Sequence, residues 1–153
     1  MNSIAPDLHL VDFSSTTPDT LQSQVISAID AANHFLDEMS ADSKLSAEQA
    51  LAEVMSFDHI NLALDRSWGI LSHLNSVMSS DEIRHVHHEL LPKLSAYGTR
   101  VGQHQPLFSR YQTIVNDQAF FAALEPARAR AIELALRSFE LSGVALPKAE
   151  QET

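Results

Sequence analysis

At 153 residues the chain suffices for one compact domain, and 44% apolar residues against four Gly and six Pro exclude both a disordered chain and the turn density of an all-β fold. A formal charge of −10, with ten Lys and Arg scattered rather than striped, speaks against a phosphate-backbone partner, so no nucleic acid is expected. The absence of cysteine removes disulfides, thiolate metal sites and a cysteine nucleophile; without a signal-peptide start or any long apolar window, no membrane contact and a cytoplasmic location are expected.

Residues 1–16, with Pro6 and a Ser/Thr run, read as an extended arm whose Leu8, Leu10 and Phe13 could lie against the body, and residues 17–153 read as the helical domain proper. Thr17 followed by Pro18 starts a helix, because a hydroxyl can accept from an early N–H and proline sits where its missing N–H costs nothing. Leu21, Val25, Ile29, Ala32, Leu36 and Met39 follow at spacings of three and four, so that helix should end near Ala41. Ser46 with Gln49 fits a capping box opening either one long helix or two with a break near Asp58, along Leu51, Val54, Met55, Leu64, Trp68, Leu71, Leu74 and Met78.

Ser79 with Glu82 repeats the capping signature ahead of a clean apolar stripe of Ile83, Val86, Leu90, Leu94, Tyr97 and Val101. Pro92 lies inside that stripe and removes the bond to the carbonyl of His88, which predicts a kink rather than a stop. Pro106 opens a further helix with Leu107, Tyr111, Ile114 and Val115 inward, and a short apolar piece around Phe120, Phe121 and Leu124 leads to Pro126. The last helix carries Ala129, Ile132, Leu136 and Phe139 and ends at Gly143, a residue suited to the left-handed position that closes many helices. The fold class is all-α, with several helices and no repeat at solenoid spacing.

Eight histidines invite a metal reading, and the densest cluster is His85, His87, His88 and Glu89. On a helix, His85, His88 and Glu89 share one side, but the zincin pattern H-E-x-x-H fails because His88-Glu89-Leu90-Leu91 is followed by Pro92 where the second ligand belongs. Glu82-Ile83-Arg84-His85 matches one Glu-x-x-His unit of a di-iron bundle, which needs a second unit that the chain lacks. A solvated helix face is the plainer reading of both. No serine sits on a glycine-flanked nucleophile turn, and Gly98 and Gly102 suit close packing or helix termination. His73 and Asn75, polar beside an apolar face, are expected to pin their helix to a neighbour.

Several separated blocks carry a resemblance: Ser72-His73-Leu74-Asn75-Ser76-Val77, Leu90-Leu91-Pro92-Lys93-Leu94-Ser95, Val101-Gly102-Gln103-His104, and Phe139-Glu140-Leu141-Ser142-Gly143 with Leu146-Pro147. In order and spacing they resemble the N-terminal region of the thimet-oligopeptidase family of zinc metallopeptidases, from about Pro18 onward. The resemblance implies an all-helical peptidase cut by a deep channel, with zinc on an H-E-x-x-H helix far downstream. It carries no catalytic, cofactor-binding or metal-ligating residue over to this chain, and zinc is implied for the full-length parent alone. The expectation is therefore a non-catalytic domain forming part of the channel wall, partnered by the remainder of the peptidase and passing short peptides. The alternative is a stand-alone helical module that binds peptides or a separate peptidase chain. Without the covering body, the face of Ile132, Leu136 and Phe139, or else the N-terminal arm, is expected to lie exposed, and stability to be marginal.

Overall fold

The computed structural model describes residues 16–40 and 44–144, and among them it holds six helices and no strand. The arm and the final residues 145–153 lie outside that range, including the expected placement of Leu8, Leu10 and Phe13 and the Leu146-Pro147 block. Helix α1 (Pro18–Glu38) begins as its sequence dictates: Thr17 Oγ1 accepts from the Thr20 N–H at 3.2 Å while the Thr17 N–H donates to Thr20 Oγ1 at 3.0 Å. Its stripe of Leu21, Val25, Ile29, Ala32 and Leu36 is buried, and it ends at Glu38, a few residues short of Ala41.

Helix α2 (Ala47–Val77) is one unbroken rod, which decides between the one-helix and two-helix readings. Ser46 and Gln49 form the expected reciprocal cap, with bonds of 3.2 and 3.0 Å. Nothing near Asp58 interrupts the backbone ladder, because that residue is neither proline nor glycine.

Helix α3 (Asp81–Gly102) starts one residue later than the sequence suggested. Ser80, not Ser79, is the cap, its Oγ accepting from the Ile83 N–H at 3.3 Å. Ser79 cannot serve because it occupies a positive φ of 34° to turn the chain between α2 and α3, whereas a cap needs the extended backbone that Ser80 has at φ −68°, ψ 163°. The helix continues through Pro92, and both Pro92 and His88 are exposed residues. Ile83, Val86, Leu90 and Tyr97 are buried, with Leu94 and Val101 half-buried beside them.

Three ties fix the arrangement of these helices. Gln22 Nε2 donates to Glu89 Oε2 at 2.8 Å, and Arg100 reaches Asn33 and Asp37, so α1 and α3 run in the same direction. Tyr97 donates to Asn61 Oδ1 and His87 stacks on Trp68 with centroids 4.6 Å apart, so α2 runs opposite to α3. Phe35 stacks on Phe57, joining the end of α1 to the first half of α2. Helix α4 (Gln105–Asn116) then packs on α2, α5 (Gln118–Ala122) makes a short step capped by Asp117, and α6 (Pro126–Leu141) packs on α4 through Phe139 against Phe108 and Tyr111.

The end of α6 follows the glycine expectation. Gly143 sits at φ 77°, its N–H donates to the Glu140 carbonyl at 3.1 Å, and the Val144 N–H reaches the Phe139 carbonyl at 3.4 Å. That is a Schellman closure, with buried Val144 placed beyond the glycine. Gly102 has its own reason: a Cβ there would lie 3.0 Å from Ser142 Oγ, so its small size lets α3 and α6 meet end to end. Gly98 has open space around it and makes no such approach.

Candidate functional site

The first half of α2 and the first half of α6 stand apart like the walls of a trough, with α4 beneath. The resulting groove has a volume of about 650 Å³. Leu51, Val54, Met55, Asp58, His59 and Leu62 supply one wall, Arg128, Ala131, Ile132 and Ala135 the other, Tyr111 the floor and Glu125 one end. Val54, Tyr111 and Ile132 are buried and belong to the core beneath, whereas Met55 and Leu62 are 47% and 59% exposed and present apolar surface to the opening.

Asp58, His59, Tyr111, Glu125 and Arg128 are the polar groups of the groove. Asp58 makes no hydrogen bond or ion pair among the described residues, and its carboxyl is pushed above the usual carboxylate range, first by burial against the wall and then by Asp65 one turn-pair along α2. Tyr111 is likewise pushed up, by burial and by the nearby Asp58 charge, so its phenol stays protonated and can only donate or accept a hydrogen bond. Arg128 on the facing wall also lacks an ion-pair partner among the described residues. Among these lining residues no nucleophile stands beside a base.

The histidine cluster singled out from the sequence is dispersed. His85 pairs with Glu89 at 3.3 Å on the surface, and the same carboxylate accepts from Gln22. His87 is turned aside to stack on Trp68, and His88 faces solvent. Among the described residues, no group of three or more His, Asp or Glu is arranged to hold a metal ion, and these side chains do not fit the zinc that the resemblance implies for a parent enzyme. His73 is exposed, and Asn75 Oδ1 is buried with no hydrogen-bond partner among the described residues.

Two residues that the sequence did not mark as structural keys hold the domain together. Arg110, 2% exposed, donates from Nε to Glu53 Oε2 at 2.7 Å and from a terminal nitrogen to the Ser40 carbonyl at 2.9 Å, tying α4 to α2 and to the end of α1. His104 caps α4, its Nδ1 accepting from the Leu107 N–H at 3.2 Å, while Nε2 lies 3.1 Å from the Leu36 carbonyl. An acceptor at one nitrogen and a carbonyl at the other require the neutral ring with the proton on Nε2. Burial, opposed by the Leu36 carbonyl and helped by the Arg100 and Arg110 charges, lowers the imidazole below its ordinary value and favours that neutral form.

Of the two surfaces expected to lie exposed, the α6 face has Ile132 and Phe139 buried against α4 and Leu136 half-buried, while residues 1–15 of the arm lie outside the described range. The bare positions on α6 are Leu134 and Leu141, and on α2 they are Met55 and Leu62 in the groove and Val77 at the helix end. A pattern available in the sequence pointed to the groove pair: Leu51, Met55 and Leu62 sit at i, i+4 and i+11, a second apolar line on a helix whose other faces already serve the core.

The described residues thus form a helical bundle whose longest helix keeps an uncovered apolar line along the groove. Residues 27–151 match the family described as Neurolysin/Thimet oligopeptidase, N-terminal domain, and the chain belongs to that family. It is 32% identical to Oligopeptidase A of Escherichia coli strain K12 over 151 residues, covering 99% of this chain and 22% of that protein. Oligopeptidase A of Haemophilus influenzae is 34% identical over 143 residues, 94% of this chain and 20% of the relative. Probable cytosolic oligopeptidase A of Arabidopsis thaliana is 29% identical over 85 residues, 56% of this chain. The chain thus spans about a fifth of the length of the bacterial relatives it matches. No solved structure gives a significant match.

Proposed function

We propose that this chain acts as the non-catalytic N-terminal domain of a zinc-dependent oligopeptidase, forming part of the channel wall that restricts entry to short peptides in the cytoplasm. The match of residues 27–151 to an N-terminal domain family of oligopeptidases carries this reading. In such a parent, a zinc held by other residues would supply the Lewis acid. The residues described above contribute shape: Arg110 and His104 lock α1, α2 and α4 into a rigid panel, and that rigidity is what a channel wall requires.

A second reading is a stand-alone module that binds peptides or a separate peptidase chain, and the exposed Met55 and Leu62 in the groove favour it. An antibody raised against this segment separates the two in extracts of the source cells. A native product several times larger than 16.9 kDa supports the domain of a whole peptidase, and one at that mass supports the module. In either case the purified chain is expected to leave short peptides uncut with or without added zinc; zinc-dependent cleavage by the chain alone would overturn the non-catalytic assignment.

A further inference from the structure

Resting on the reading that this domain is part of a larger peptidase, we infer that the α2/α6 groove seats a single amphipathic helix of that peptidase, carrying a basic residue that pairs with Asp58. Shape is the first argument. Two helical walls over a third helix leave a straight trough, and the α6 wall is lined by Ala131 and Ala135, four residues apart, whose small side chains let another helix approach closely. The α2 wall supplies Met55 and Leu62 for its apolar stripe to cover.

Charge is the second argument. Asp58 lies along the α2 wall without an ion pair or hydrogen bond among the described residues, in a setting that already disfavours its charge through burial and through Asp65. An incoming Lys or Arg would relieve both, while an acidic residue at that edge would add a third like charge. The trough is asymmetric in the complementary sense, because the facing wall offers the unpaired Arg128. The occupant is therefore apolar on one stripe and basic on its α2 edge.

The test uses this chain and three synthetic peptides of about eighteen residues, five turns of helix. One carries leucines at helical spacing with a single lysine at the stripe's edge, the second has glutamate for that lysine, and the third is the lysine peptide with two central prolines that prevent a helix. The lysine peptide is expected to bind about fivefold more tightly than the glutamate peptide, the size of a partly exposed ion pair. Leu62→Glu or Met55→Glu should abolish binding, and Asp58→Asn should erase the preference for lysine while keeping the apolar contribution. All three positions are exposed, and circular dichroism melts of the variants confirm that they fold. No binding, or binding indifferent to the groove variants, overturns the inference. So does equal binding of the proline peptide, which makes the occupant an extended peptide, or a dimer of the chain alone that Leu62→Glu dissolves, which makes it a second copy. These readouts do not depend on the size of the native product, so the groove and the parent-enzyme reading can fail separately.

Discussion

His104 joins two helices through one ring, and its bonding pattern allows only the neutral form. The folded-state imidazole titrates below its ordinary value, so between the two values the unfolded chain holds the extra proton. Stability is then fully present above about pH 6.5 and is lost as pH falls from there toward the lowered folded value. His104→Asn keeps a cap acceptor but cannot titrate. Urea midpoints measured from pH 7.5 down to 5.5 are expected to fall more steeply for the native chain than for His104→Asn; parallel slopes would mean that the other histidines account for the dependence. Gly143 is the other single residue with a sharp expectation. Its φ of 77° admits no side chain without strain, so Gly143→Ala should lower stability by about 1 kcal/mol, read as a shifted urea midpoint with unchanged slope.

At the scale of the helix, the turn from α2 to α3 separates two adjacent serines by role. Ser80 accepts from the Ile83 N–H, so Ser80→Ala should cost about 1 kcal/mol. Ser79 holds the positive φ, and Ser79→Gly should be neutral or stabilising by up to about 1 kcal/mol, the relief of backbone strain offsetting the lost contact to the exposed Arg84. A capping role for Ser79 would reverse that order in thermal melts. The same turn shows why helix existence was legible in the sequence and its edges less so. Apolar spacing reports which faces meet a core, and it located α1, α3, α4 and α6 with their buried residues. A cap depends on backbone torsions, and two neighbouring serines offer the same hydroxyl to a reader who cannot see φ. The groove was hidden for a related reason: Leu51 and Met55 read as part of the one apolar run of α2, Leu62 was not singled out, and only the gap between α2 and α6 leaves these residues open. Two of the blocks that carry the family resemblance are joints. Gly102 admits Ser142, His104 bridges α1 and α4, and Gly143 closes α6.

For the whole molecule, the deciding interaction is the Arg110 guanidinium, which, nearly excluded from water, reaches from α4 to both α2 and the end of α1. Arg110→Ala removes this side chain with its bonds and most of its volume, and a large-to-small change at a fully buried site typically costs about 2–5 kcal/mol. A domain of this size has on the order of 5–15 kcal/mol in total, so Arg110→Ala should bring the isolated chain close to unfolding at ordinary temperature. Replacing the charge and the volume together behaves differently. Arg110→Met leaves no buried cation and fills most of the space, so much of the loss should return, even though Glu53 gives up its partner; that carboxylate is 37% exposed and can hydrate. Glu53→Gln, which leaves the guanidinium a neutral acceptor, should fall between the native chain and Arg110→Ala. Urea unfolding of the four proteins tests the order: native first, Met and Gln intermediate, Ala last. If Met and Ala were equally damaging, the contribution of Arg110 would lie in its specific bonds to Glu53 and Ser40 rather than in the filled volume, and the panel formed by α1, α2 and α4 would depend on hydrogen-bond geometry more than on packing.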